Sequence, residues 1–98
     1  MSNRIRSLTL GELSQRVALP VATVTEIVEL GIIEPQARDP HWLFDETVVV
    51  VVSRAARLHR DLAMDWNGVA LALELAEDNQ RLRRENEALR RRLARLLE

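Results

Sequence analysis

The chain has 98 residues, 47% hydrophobic and 30% charged, with no cysteine and a formal net charge of −1. Such a composition excludes a disulfide framework, a thiolate metal site and a catalytic thiol, and allows one compact body plus an appended helix. The longest apolar run, around Thr47 to Val52, stops at Arg54, far short of the roughly 20 residues of a membrane span.

The stretch from Met1 to Leu8 carries Arg4 and Arg6 and lacks the apolar centre of a signal peptide, so a cytoplasmic location without a membrane partner is expected. Charge is unevenly spread. All fourteen cations are arginines, and half lie between Arg81 and Arg95. Between Leu8 and Glu46, Arg16 and Arg38 face Glu12, Glu26, Glu29, Glu34, Asp39, Asp45 and Glu46, two charges against seven, a net of −5.

Thr9 and Glu12 form a capping box that starts a helix near Leu10, with Leu8 as a hydrophobic staple ahead of it. Leu10, Leu13 and Val17 give this helix one apolar face, and Leu19-Pro20 ends it. A second helix begins near Val21. Val24, Ile27, Val28 and Leu30 face its core side, and Thr23, Thr25, Glu26 and Glu29 face out, with Gly31 as a left-handed stop. Two helices joined by about three residues make a helix-turn-helix unit.

Ile32 to Pro35 and Trp42 to Phe44, separated by the polar stretch Gln36 to Pro40, are expected to pair as a short ribbon, the wing. Trp42 and Phe44 share one face of that strand. Packing against the third helix is the first account of it, and an exposed aromatic contact for a partner the alternative.

Asp45 is expected to cap a third helix, with Glu46 in its first turn. The valine run from Val48 to Val52 alone suggests a strand, but Val48, Val51, Val52, Ala55, Leu58 and Leu62 carry a helical period past Arg54 and Arg57. Met64 to Gly68 is a break at which Asp65 or Asn67 caps another helix, and Trp66 is expected in the core. Val69 to Ala76 is apolar on nearly every side, which requires neighbours on every side: the body on one and a partner chain on the other.

From Leu75 the pattern is a heptad, with Leu75, Leu82, Leu89 and Leu96 at one seam position and Asn79, Asn86 and Leu93 at the other. Leucine at d with asparagine at a marks a two-stranded coiled coil, and Asp78 and Glu85 at g would reach Arg83 and Arg90 at e of a parallel partner. Charge therefore favours parallel pairing of a homodimer, with antiparallel pairing left open. The opposing account is a single long helix folded back on its own domain. The expected division is a body over 1–66 and a dimerisation helix over 67–98.

His41 and His59 lie in different elements without a second ligand at metal spacing, so both read as surface or capping residues. No nucleophile and base pair, metal cluster or phosphate-cradling glycine loop is visible, so no catalytic residue, metal or cofactor is expected.

The order of elements resembles the MerR-type winged helix. Leu30-Gly31-Ile32-Ile33-Glu34-Pro35 is similar to that family's turn after the recognition helix, and Trp42-Leu43-Phe44-Asp45-Glu46 to its wing strand. The implied fold is mainly α: a MerR-like winged helix-turn-helix with a small β ribbon wing and a long C-terminal coiled-coil helix. Where the family has an Arg-Tyr-Tyr-Glu run this chain has Thr25-Glu26-Ile27-Val28, and the wing's phosphate-binding arginine is Leu43.

A narrower resemblance covers about nine-tenths of the chain. The Trp42-Leu43-Phe44 strand, the valine-rich third helix and the run from Asp61-Leu62 to Asn67-Gly68-Val69-Ala70-Leu71-Ala72-Leu73 are similar to the chaperone modulator CbpM family. That resemblance implies a regulator that binds the J-domain of the DnaJ-like co-chaperone CbpA and inhibits its co-chaperone and DNA-binding activities. A J-domain offers a basic helix to DnaK, so a competitor should be acidic. Glu26, Glu29 and Glu34 are the foremost candidates to meet it, with Trp42 and Phe44 beside them. The alternative is a MerR-like DNA-binding regulator, which would have only Arg4, Arg6, Arg16 and Arg38 for phosphate.

Overall fold

A computed structural model describes residues 6–98; Arg4 lies outside them. In chain order the elements are β1 (Ser7–Thr9), α1 (Leu10–Val17), α2 (Val21–Glu29), β2 (Leu43–Asp45), α3 (Val48–Asp61) and α4 (Trp66–Leu97). One core holds them: Leu8, Leu13, Val24, Ile27, Val28, Ile33, Phe44, Val52, Ala55, Trp66 and Val69.

The capping box is present. The Thr9 hydroxyl accepts from the Glu12 amide at 3.1 Å, and the Glu12 carboxylate accepts from the Thr9 amide at 2.9 Å. The stop differs from expectation. Ala18 takes a left-handed conformation (φ 57°) and ends α1 before Leu19-Pro20 is reached.

Ser14, buried on the same turn, donates its hydroxyl to the Leu19 carbonyl while its own carbonyl accepts from the Leu19 amide at 3.1 Å. Removing that hydroxyl by Ser14→Ala should cost about 1 kcal/mol, because a poorly hydrated carbonyl loses a partner. Chemical denaturation checks this, and a change within about 0.5 kcal/mol would mean the bracket is unimportant.

At the end of α2, Gly31 (φ 78°) donates to the Val28 carbonyl and Ile32 to the Ile27 carbonyl, a Schellman stop that aims Ile33 into the core.

The ribbon forms with a different partner from the one the sequence suggested. β2 pairs antiparallel with β1, Leu8 opposite Phe44 and Ser7 opposite Asp45, rather than with residues 32–35. The wing arm contributes a single bridge, Ala37 to Leu43, supported by the Gln36 amide on the Leu43 carbonyl at 2.7 Å. Ile33 is committed to the core and Pro35 has no amide hydrogen, so pairing on that arm starts only at Gln36. The other edge of β2 is left for Ser7–Thr9, the last of which is the cap of α1.

The valine run is helical. Val52 and Ala55 are buried, whereas Val51 and Leu62, expected on the apolar face, are 37% and 62% exposed. Asp45 does not cap α3. Held in the strand pair, it accepts from the Thr47 amide at 2.9 Å, an Asx turn that leaves Thr47 at the cap. That amide is the main reason the Asp45 carboxyl sits below the usual carboxylate range.

α4 is capped by Asp65, whose carboxylate accepts from the Gly68 amide at 2.7 Å. Just ahead of it Ala63 is left-handed (φ 52°). The His59 ring donates through Nδ1 to the Met64 carbonyl at 2.6 Å and stacks on Trp66, the centroids 4.2 Å apart. His59 thus ties the end of α3 to the start of α4, a structural task, and Trp66 lies in the core as expected.

Candidate functional site

Two surfaces concentrate what the body leaves uncovered. The first is the outer side of α2 with the turn that follows. Val24, Ile27 and Val28 turn inward, so the helical period puts Glu26 and Glu29 outside, and both are exposed, as is Glu34 beyond Gly31. Among the described residues none of the three takes part in an ion pair. Other acids of the body are engaged: Glu12 in the capping box, Glu46 with Arg16 at 3.7 Å.

The last turn of α2 has no basic residue. That turn is the negative end of the helix dipole, so Glu26 and Glu29 sit where a carboxylate lowers helix stability and adds to the negative potential. The same arrangement repels phosphate and attracts a cationic side chain. Arg16, a candidate phosphate contact, lies 3.7 Å from Glu46, and the other described candidates are Arg6 and Arg38.

The wing divides the two aromatic candidates. Phe44 has 0% exposure and is part of the core, so it has no surface with which to touch a partner. Trp42 is half-buried and meets Phe44 edge-on, ring centroids 6.2 Å apart at 85°. A shallow groove beside it is lined by Thr9, Leu10, Gly11, Thr25 and His41. The face shared by Trp42 and Phe44 therefore turns towards the start of α1 and α2, and Trp42 alone is available at its rim.

The second surface is α4. Its first turns, with Trp66 and Val69, belong to the core, while residues 79–98 are all exposed. The helix does not fold back on its own body. Leu75, Leu82, Leu89, Leu93 and Leu96 are 55–80% exposed, and Asn79 and Asn86 are exposed in the same seam. Leu71, 57% exposed, extends the apolar strip but falls outside the a and d positions. Only the all-round apolar character of Val69 to Ala76 pointed to it.

Asp78 and Glu85 both pair with Arg81 of the same helix, at 3.4 and 3.8 Å. In a parallel pair these carboxylates would be shared between Arg81 and the arginines at e of the other copy. Such exposed pairs are weak enough to exchange, about 0.3–0.5 kcal/mol each.

Among the described residues no helix is long and apolar enough to cross a membrane, and no group of three metal-ligating side chains is present.

Residues 8–91 match the family described as MerR HTH family regulatory protein. The chain is 45% identical over 98 residues to the chaperone modulatory protein CbpM of Pseudomonas putida strain KT2440, covering 99% of this chain and 97% of that protein. It is 46% identical over 95 residues to the protein of the same name from Pseudomonas entomophila strain L48, with 96% and 94% covered. For that of Citrobacter koseri the identity is 42% over 98 residues, with 99% and 97% covered.

Proposed function

The chain belongs to the chaperone modulatory protein CbpM family, within the MerR helix-turn-helix proteins, and from that premise we propose that it binds the J-domain of a CbpA-type, DnaJ-like co-chaperone and competes there with DnaK. It is a chaperone modulator that works by occupying a surface, with no catalytic step. The observation that carries this is the outer face of α2. The helix that enters DNA in this fold here bears Glu26 and Glu29 at its dipole-negative end, and no basic residue along its length.

The body acts as a rigid holder. Leu13, Ile27 and Phe44 fix α2 against α1 and the ribbon, and the chain leaving the Schellman turn at Gly31 carries the exposed Glu34. Glu26, Glu29 and Glu34 supply charge that steers a basic helix into place, and Trp42 an apolar rim contact. α4 pairs two copies through Leu75, Asn79, Leu82, Asn86, Leu89, Leu93 and Leu96.

Two titrations test the reading against the DNA-binding alternative, which the shared scaffold keeps in view. Against an isolated J-domain of a CbpA-type co-chaperone, binding is expected to saturate and to weaken with added salt. Against duplex DNA at low salt, no tight binding is expected. Nanomolar DNA affinity with a steep salt slope, without J-domain binding, would replace the proposal by the alternative.

A further inference from the structure

We infer that the arginine stripe on the outer side of α4 is a docking surface for the acidic α2 face of another copy of this chain. Residues 81–98 hold seven arginines against Glu85, Glu87 and Glu98, a net of +4, and the body between Leu8 and Glu46 has a net of −5. The two charged regions are therefore opposite in sign, and they belong to different parts of the chain.

Arg84, Arg91 and Arg95 fall seven and four residues apart. At about 100° per residue that sets them on one line along the helix, spread over about 16 Å. All three are exposed, and none forms an ion pair among the described residues, whereas Arg81 is held by Asp78 and Glu85. In the heptad frame the three stand at f, f and c, away from the leucine seam, so a paired coiled coil leaves the stripe on its outside.

The whole stripe cannot make the contact within one chain. Gln80 still lines a groove with Leu30, Gly31 and Ile32 of the body, and α4, unbroken from Trp66 to Leu97, carries Arg91 and Arg95 about 16 and 22 Å beyond it, so bringing the stripe to Glu26 and Glu29 would require breaking the helix. The acidic face must come from a second molecule. A stripe on one copy meeting a different patch on the next is a head-to-tail contact, which builds rings or open chains larger than the dimer as concentration rises.

The covered face is the one proposed above for the J-domain. The regulatory consequence, that self-association masks the modulator until a J-domain displaces the stripe, rests on that proposal, while the contact itself does not.

Sedimentation of the full chain, without any co-chaperone, tests the contact. The weight-average mass should climb above the dimer with concentration at low salt (~20 mM) and return to the dimer at high salt (~500 mM), since exposed charge pairs are screened. The triple variant Arg84→Glu, Arg91→Glu, Arg95→Glu should stay at the lower mass at every salt concentration, and so should Glu26→Arg, Glu29→Arg, Glu34→Arg. Mixing the two variants should restore the salt-sensitive growth, because the reversed stripe then faces a reversed body. A wild-type mass independent of salt, growth that survives in either variant alone, or a mixture that stays at the lower mass would overturn the inference. Circular dichroism of each variant identifies a misfolded one. Single reversals at Arg91 and Glu29 then replace it in the same mixing experiment.

Discussion

Replacing Leu82 and Leu89 together by aspartate should turn the proposed dimer into a monomer and raise its dissociation constant at least a thousandfold. Neither side chain packs on the body: they are 55% and 60% exposed in the single chain. A dimer would bury four such leucines, each contributing about 1.5–3 kcal/mol. A thousandfold change corresponds to only about 4 kcal/mol, and the substituted carboxylates add the cost of facing one another across the seam. Sedimentation equilibrium measures the effect. The core from Leu8 to Val69 should keep its denaturation midpoint when compared at monomer concentrations, because none of its contacts includes residues 79–98. Dimers persisting in the double variant would move the interface to the strip around Leu71 or onto the body.

The double reversal Glu26→Lys, Glu29→Lys should weaken J-domain binding about 10- to 100-fold. An exposed pair contributes about 0.2–1 kcal/mol, and reversing a charge both removes an attraction and adds a repulsion, so two reversals amount to about 1–3 kcal/mol. Most of the loss should fall on the association rate, and it should shrink as salt is added. The same substitutions should stabilise the fold slightly, by a few tenths of a kcal/mol, because lysine in the last turn of a helix complements the dipole that glutamate opposes. Weaker binding with a raised melting temperature separates a lost contact from a damaged fold. Affinity unchanged in the double variant would mean that the partner uses another face.

What the sequence made legible was mostly local. The Thr9 and Glu12 box, the glycine stop at Gly31 and the burial of Trp66 all appear in the structure, because each depends on a few neighbouring residues whose chemistry allows little else. Of the two caps considered at the last break, Asp65 is the one used.

What was hidden involved competition between distant or nearly equivalent choices. Ser7 to Thr9 is three residues long and pairs with residues more than thirty positions away, so nothing in its own composition marks it as the strand that β2 selects. Ala18 in the left-handed region is set by the Ser14 bracket, not by alanine's own preference. Asp45 had two ways to serve the start of α3, and the strand register decided between them.

The surfaces were partly legible in the same sense. Helical period put Glu26 and Glu29 outside and spaced the leucines of α4 along one seam, and both are exposed as expected. Phe44 could not be separated from Trp42 by alternation alone, since a strand face can turn to the core at one residue and reach the rim at the next. The acidic recognition helix remains the most informative feature. It keeps the shape that places a helix in a groove and reverses the charge that would hold it there.

The most direct measurement of the central claim brings the wild-type chain, an isolated J-domain of a CbpA-type co-chaperone and DnaK together at saturating concentrations. Competition for one basic helix predicts that the chain and DnaK displace each other, so that only the two binary complexes are found on sedimentation. A stable complex of all three would contradict it.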